Sequence, residues 1–167
     1  VAVGVIVREG RVLIARRPDH VHQGGLLEFP GGKVESEETV QAALIREIAE
    51  ETGLEIPLGT LRPVIGVRHD YGDKHVFLDV WRTDQAQGEA HGREGQSIDW
   101  VSPESLRDED FPAANRPIIR ALKLPSLLAI TGDISAGDIG IEQLRKALVR
   151  LPARDRLPLV VLRAPIM

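Results

Sequence analysis

Residues 31 to 55, GGKVESEETVQAALIREIAEETGLE, set the tightest condition on any fold this chain can adopt. Thr39 suits a helix N-cap and Gly53 suits the left-handed residue beyond a C-terminus, so a helix is predicted between them. At about 100° per residue, Ala42, Leu44, Ile45, Ile48 and Ala49 gather on one arc. Glu47, Glu50 and Glu51 gather on another, along the last turns. The backbone already presents its negative end there, and each exposed carboxylate costs about 0.3–1 kcal/mol. Glu47 also faces Glu50 and Glu51 at helical spacing, and each like-charge pair costs a further ~0.2–0.5 kcal/mol. Arg46, one turn before Glu50, offsets only part of this. One face of the helix therefore packs, and another presents carboxylates that do not help the helix. Function is expected where a local rule is broken without structural gain.

The rest of the composition narrows the class. With 167 residues the chain holds one ordinary domain plus a fragment, or one large domain. A 43% hydrophobic content beside 28% charged residues belongs to a globular protein rather than a disordered one. A net charge of −4 without a long basic run argues against tight binding to polymeric nucleic acid. A small anionic substrate stays accessible to such a protein if metal ions neutralise it locally. There are no cysteines, which rules out disulfides and thiol chemistry and fits a reducing, cytoplasmic setting. No apolar run reaches the roughly 18 residues of a membrane span, and VAVGVIV lacks the basic lead of a secretory signal. The chain opens without Met inside a predicted strand, so a short preceding leader is expected.

VAVGVIV and RVLIARR flank REG and predict a β-hairpin turning at Gly10. GGLLEFPGG predicts a short strand closed by Pro30, Gly31 and Gly32. LRPVIGVRHDY and KHVFLDVWR predict two strands joined through Gly72-Asp73, and SIDWVSPESL a strand leading to a helix start. NRPIIRALKL predicts a second helix, with Asn115 at its N-cap and Pro117 in its first turn. Strands interrupted by two separated helices predict an α/β fold, a mixed sheet covered on both faces. Trp81 and Trp100 sit in strand patterns and are expected in the core. His20, His69, His75 and His91 show no metal-like spacing.

Residues 125–167 change in character. A strand-like LPSLLAITGD, an amphipathic GIEQLRKALVR and a strand-like LPLVVLRAP make one β-α-β unit. Such a unit cannot cover its own sheet, so it is expected to begin a second domain that is cut short after a first domain of residues 1–124. The other reading makes these elements an extension of the first domain.

The acidic helix has a chemical reading of its own. Hard cations such as Mg²⁺ prefer oxygen ligands and retain waters and substrate phosphates in their shell. Glu47, Glu50 and Glu51 recur at a spacing that lets one helix offer all three to a shared site. The spacing also carries a resemblance. Gly32, Glu38 and the run Arg46-Glu47-Ile48-Ala49-Glu50-Glu51-Thr52-Gly53-Leu54 match the Nudix box without departure. Seven fixed positions coincide by chance about 10⁻⁸ of the time per starting point. The chain therefore resembles the Nudix hydrolases. That implies an α/β/α sandwich and hydrolysis of a nucleoside diphosphate linked to another group, with Mg²⁺ as cofactor and Mn²⁺ as a substitute. By the same resemblance Glu50, Glu51 and the Gly31 carbonyl are metal ligands, Glu47 is a ligand or the base that deprotonates water, and Glu38 and Arg46 support the loop–helix geometry.

Outside the box, AVGVIV, IARRPDHVHQGGLLEFPGGKVE, GREGQ and DFPAANRPIIRALK resemble the MutT-type 8-oxo-dGTP diphosphatases over nearly all of residues 1–124. That resemblance implies substrate contacts from Arg17 and His22, a nucleoside pocket lined by Glu28, Phe29 and Pro30, and a nucleotide contact from Lys74. It also implies a loop metal ligand at Glu94 and base recognition by Asn115. An amide at Asn115 can donate to a purine O6 while its oxygen accepts from an N7–H, which only the oxidised base carries. Against unmodified guanine that oxygen meets a bare lone pair, and a buried mismatch of this kind discriminates strongly. Plain helix capping is the other role open to Asn115.

The expected activity is hydrolysis of 8-oxo-dGTP to the monophosphate and pyrophosphate, by water attacking the β-phosphorus, which clears the nucleotide pool. The expected partner is a small nucleoside triphosphate, with no obligate protein partner. Two rivals stand beside it: a Nudix hydrolase acting on another nucleoside triphosphate or a thiamine-pathway pyrophosphate, and a nucleotide-sensing module without turnover. The tail supplies the thiamine option, since LLAIT and LVVLRA resemble the opening strands of a thiamine-phosphate synthase barrel.

Overall fold

The computed structural model describes residues 1–19, 23–124, 128–130, 142, 146 and 159–161. The chain divides into two compact units, Val1–Lys123 and Leu124–Met167.

In the first unit, β1 (Ala2–Arg8) and β2 (Arg11–Arg16) form the expected hairpin, closed by Glu9 and Gly10, both at positive φ. A sheet of six strands runs in the order β3-β2-β1-β5-β4, with β6 also on β2. Its other members are β3 (Leu27–Glu28), β4 (Arg62–Asp70), β5 (His75–Thr83) and β6 (Ile98–Val101). β1 runs parallel to β5 in the register Ala2↔Asp79 through Ile6↔Thr83, and the remaining pairings are antiparallel. The sheet is mixed.

Strand alternation explains the two cores. Val3 and Val5 point to one side with Val12, Ile14 and Val80, while Ala2, Ile6 and Leu13 point to the other. On the second side lies α1 (Val40–Thr52), through Ala43, Leu44 and Ile48. On the first lie α2 (Arg116–Lys123), through Ile118 and Ile119, and a run of short 3₁₀ turns carrying Leu106, Phe111 and Ala114. Helices therefore cover both faces of the sheet, as the α/β/α expectation requires.

The ends of α1 fall where the sequence puts them. The Thr39 hydroxyl accepts from the Ala42 N–H at 3.1 Å, and Gly53 closes the helix at φ 73°. Its buried face keeps Leu44 and Ile48 as expected but takes Ala43, fully buried, in place of Ala42, which is exposed. Alanine's small side chain leaves hydrophobicity alone unable to separate the two.

The second helix departs from expectation at its start. A 3₁₀ turn, Ala113–Asn115, runs directly into α2, with Pro112 as the extended residue before it. Asn115 therefore sits inside the first helical turn, its N–H donating to the Pro112 carbonyl at 2.9 Å, and is not the N-cap. Trp81 and Trp100 are half-buried at the margin of the α1-side core. Among the described residues no helix is long and apolar enough to cross a membrane.

In the second unit, β7 (Leu128–Ile130) pairs in parallel with β8 (Leu159–Val161). Glu142 and Lys146 between them are helical and form an ion pair at 3.9 Å.

Candidate active site

Residues 30–32 run alongside β1: the Gly4 N–H donates to the Pro30 carbonyl and the Ala2 N–H to the Gly32 carbonyl, both at 2.8 Å. Two glycines make this approach feasible. Gly31 has φ 141°, and a Cβ on it would fall 2.3 Å from the Ala2 carbonyl oxygen. A Cβ on Gly32 would fall 2.2 Å from the carboxyl carbon of Glu47. The backbone clash leaves no room for a side chain at Gly31, and one at Gly32 would have to displace the Glu47 carboxylate, so the two glycines keep the loop bare where the acidic helix meets it.

Arg46 organises one half of the acidic group. Its guanidinium donates to Glu38 Oε1 and Oε2 at 3.1 and 3.0 Å, to Glu47 Oε1 at 3.0 Å and to Glu50 Oε2 at 3.1 Å. It also donates to the Lys33 carbonyl at 3.1 Å, which ties the glycine loop to α1. The hydrogen bond between them is the chief reason that the Arg46 pKa is raised above its ordinary value and that the Glu38 carboxyl sits below its ordinary range. Glu38 accepts as well from the Glu35 N–H at 3.2 Å, so the segment before the helix is fixed by the same carboxylate.

Glu51 belongs to a different environment. Its Oε2 accepts from the Gly31 N–H at 3.0 Å, and burial pushes its pKa from 4.5 up to about 7. The Gly31 bond works against that shift, while the charges of Glu28, Glu94 and Glu47 add to it. Three further carboxylates are thus within electrostatic reach of a desolvated fourth. Glu28 is itself raised by desolvation, although Arg17, paired with its carboxylate, pulls the other way.

Residues 91–96 pack against the end of α1. The N–H groups of His91 and Arg93 donate to the carbonyls of Thr52 and Glu51, each at 2.9 Å. The Arg93 guanidinium donates to the Ala49 carbonyl at 3.2 Å and lies so close over Gly53 that a Cβ there would meet its Nε at 2.8 Å. Neither Arg93 nor Gln96 stands out in the sequence reading. A basic residue suits a helix C-terminus, but no local pattern says which helix it reaches.

The other candidates are spread more widely. Arg17 continues from β2 and meets Glu28 on β3. His22 lies outside the described residues. Phe29 is 4% exposed and stacks on Phe111 with ring centroids 5.5 Å apart, so it forms the floor beneath its neighbours more than an open wall. Pro30 is buried beside it. Lys74 is exposed at the β4–β5 turn, its ammonium 5.6 Å from the Tyr71 ring. The Tyr71 hydroxyl accepts from the Ala114 N–H at 3.2 Å, which links that turn to the segment bearing half-buried Asn115.

Among the described residues no three acidic or histidine side chains are close enough together to grip an ion directly. The reason is visible: Arg46 holds Glu47 and Glu50, and the Gly31 N–H holds Glu51. The donor chemistry nonetheless fits a hard divalent cation. Every candidate ligand is an oxygen, the buried Glu51 carboxyl is crowded by like charges, and the adjoining backbone carries no Cβ.

The sequence matches the NUDIX domain over residues 2–121. The chain belongs to the Nudix family and is a pyrophosphohydrolase of that family. It is 39% identical to the 8-oxo-dGTP diphosphatase of Escherichia coli over 124 residues, covering 74% of this chain and 95% of that one. It is also 34% identical to the CTP pyrophosphohydrolase of the same organism over 121 residues, 72% of this chain and 88% of the relative. The crystal structure of a MutT NUDIX hydrolase from Burkholderia pseudomallei superposes with a TM-score of 0.64 at 26% identity, covering 72% of this chain and 94% of that one.

Proposed function

We propose that this chain hydrolyses 8-oxo-dGTP, with 8-oxo-GTP and dGTP as lesser substrates, to the nucleoside monophosphate and pyrophosphate. It would act in the cytoplasm, removing oxidised nucleotide before it is polymerised and so preventing mutation. The observation that carries the hydrolytic reading is the placement of Glu51 among Glu28, Glu47 and Glu94 beside a backbone loop without Cβ atoms. Similarity to the Escherichia coli 8-oxo-dGTP diphosphatase over almost its whole length supports the choice of substrate.

Glu50, Glu51, Glu94 and the Gly31 carbonyl would hold Mg²⁺, or Mn²⁺ in its place, with Glu47 as a further ligand or as the base. When bound, such a cation neutralises the polyphosphate and lowers the pKa of a bound water. Water oxygen bonds to the β-phosphorus, the bond from that phosphorus to the α,β-bridging oxygen breaks, and the monophosphate leaves. The proton of the attacking water passes to a carboxylate of this cluster, Glu47 being the one that would serve where it is not itself a ligand. Arg46 keeps Glu47 and Glu50 oriented, and its hold on the Lys33 carbonyl fixes the loop against the helix. Arg17 and His22 would contact the phosphates or sugar, with Lys74 reaching the nucleotide from its turn. Asn115 would read the O6 and N7–H edge of the oxidised base beside Glu28, Phe29 and Pro30.

Similarity to a CTP pyrophosphohydrolase favours one alternative, a Nudix hydrolase acting on a pyrimidine triphosphate. Steady-state kinetics on 8-oxo-dGTP, dGTP, CTP and thiamine pyrophosphate, with product identification, separates them. The expected kcat/KM for 8-oxo-dGTP exceeds that for dGTP by at least ~10²-fold. Comparable values for the two defeat the specificity claim, and preference for CTP selects the alternative. Asn115→Ala should lower the value for 8-oxo-dGTP about tenfold while leaving dGTP and CTP nearly unchanged.

A further inference from the structure

We propose that Gln96, seconded by Arg93, is a positioning residue that sets the separation of Glu94 from Glu51. This rests on the reading of those two glutamates as parts of one cation site. The Gln96 Nε2 donates to the Glu51 carbonyl at 3.2 Å, while its Oε1 accepts from the Glu94 N–H at 2.9 Å. One primary amide therefore joins the backbones of two acidic residues more than forty positions apart in sequence. An ionised carboxylate only accepts and an apolar chain does neither, so neither can replace the amide here.

The surrounding bonds make the link stiff. The Glu51 carbonyl takes a second donor, the Arg93 N–H, at 2.9 Å, and the Thr52 carbonyl takes the His91 N–H at 2.9 Å. These carbonyls are among the last four of α1, which have no partner within the helix. Arg93 adds a positive charge over the same end through its bond to the Ala49 carbonyl. Residues 91–96 thus close the helix and carry Glu94 in the same gesture. Glu94 is exposed and Glu51 is half-buried, so without the amide bridge nothing in the Glu94 side chain itself would fix their spacing.

Mn²⁺ binding to the intact chain, measured by electron paramagnetic resonance, tests this without recourse to turnover. Gln96→Met removes both bonds and keeps the length of the side chain; the expected outcome is about a tenfold weaker dissociation constant. Glu94→Gln should weaken binding in the wild-type background and add little in Gln96→Met, because a glutamate that is no longer held contributes little to lose. A purely structural role would lower the melting temperature without that non-additivity. Gln96→Asn, too short to span both partners, serves as the second variant if Gln96→Met does not fold. Unchanged Mn²⁺ affinity in either folded variant, or full additivity with Glu94→Gln, overturns the proposal. Glu51→Gln is the arm that separates the two levels: weakened binding there with unchanged Gln96→Met removes the bridge alone, whereas unchanged binding in both removes the cation site as well.

Discussion

The two sides of the last turns of α1 carry the same residue type and opposite solutions to its charge. On one side Glu47, Glu50 and Glu38 share Arg46, a guanidinium with donors enough for all three. On the other, Glu51 is turned inward onto a single backbone N–H while Glu28, Glu94 and Glu47 press on it electrostatically. The first side has one guanidinium shared among three carboxylates, which offsets part of its charge. On the second, Glu51 meets an uncharged N–H and burial pushes it toward its neutral form, so an external cation has most to gain by drawing out its charge. A carboxylate held by a guanidinium and one held by a neutral N–H thus offer a cation different gains.

The largest expected effect comes from removing the Glu51 charge. Glu51→Gln should lower kcat/KM by about 10²- to 10³-fold, a loss comparable with removing one group that stabilises developing charge. Glu50→Gln should cost less, since Glu50 is more than half exposed and already paired with Arg46. Equal losses from the two substitutions, measured on one substrate, would erase the contrast between the sides.

The same contrast predicts a stability effect of opposite sign. With metal chelated, Glu51 has a pKa raised from 4.5 to about 7, so between those values the folded state binds more protons than the unfolded. Folding stability therefore falls as pH rises through this window and stays lower above it. Glu51→Gln removes the penalty, and urea unfolding in EDTA should find it more stable than wild type at pH ~8, by up to about 3 kcal/mol. The gap should shrink as pH drops toward ~4.5 and vanish below it, where the carboxyl is neutral in both the folded and the unfolded state. A variant that is less active yet more stable without metal would show that the carboxylate is kept for chemistry and not for the fold.

Arg46→Met attacks the other side. It releases Glu38, Glu47 and Glu50 together and frees the Lys33 carbonyl, so loop and helix lose their shared anchor. Activity should drop about tenfold, the usual scale for groups that orient ligands without touching substrate. Arg46→Lys should rescue little, because an ammonium cannot reproduce the bidentate hold on Glu38.

How much of this could be read in advance follows from where the information resides. The ends of α1 were legible because capping is local: Thr39 and Gly53 act within a few residues of themselves. The acidic arc was legible for the same reason. The division of that arc was not, since it depends on which carboxylate Arg46 reaches and which meets the Gly31 N–H, a loop away. Asn115 was misplaced as a cap because a 3₁₀ turn starting at Ala113 extends the helical run backward, and Pro112 gives no such signal. The stacking of Phe29 on Phe111 and the bridge from Gln96 to Glu51 join distant segments, and periodicity carries no trace of them. Local chemistry picks out the carboxylates, and tertiary contacts decide which partner each of them meets.

The smallest effect is the sharpest control. Thr39→Ala deletes the hydroxyl that accepts from the Ala42 N–H, at the end of α1 remote from Glu47, Glu50 and Glu51. It should cost about 1 kcal/mol in urea unfolding. Mn²⁺ affinity should stay as in wild type, because the C-terminal turn is held separately by residues 91–96. If loosening the N-terminal end does weaken the metal, the helix responds as one rigid rod. The two sides of its last turns would then owe their difference to the placement of α1 as a whole and not to the partners of each glutamate. An unchanged affinity beside the expected loss of stability leaves those partners, Arg46 and the Gly31 N–H, as what distinguishes one carboxylate from the next.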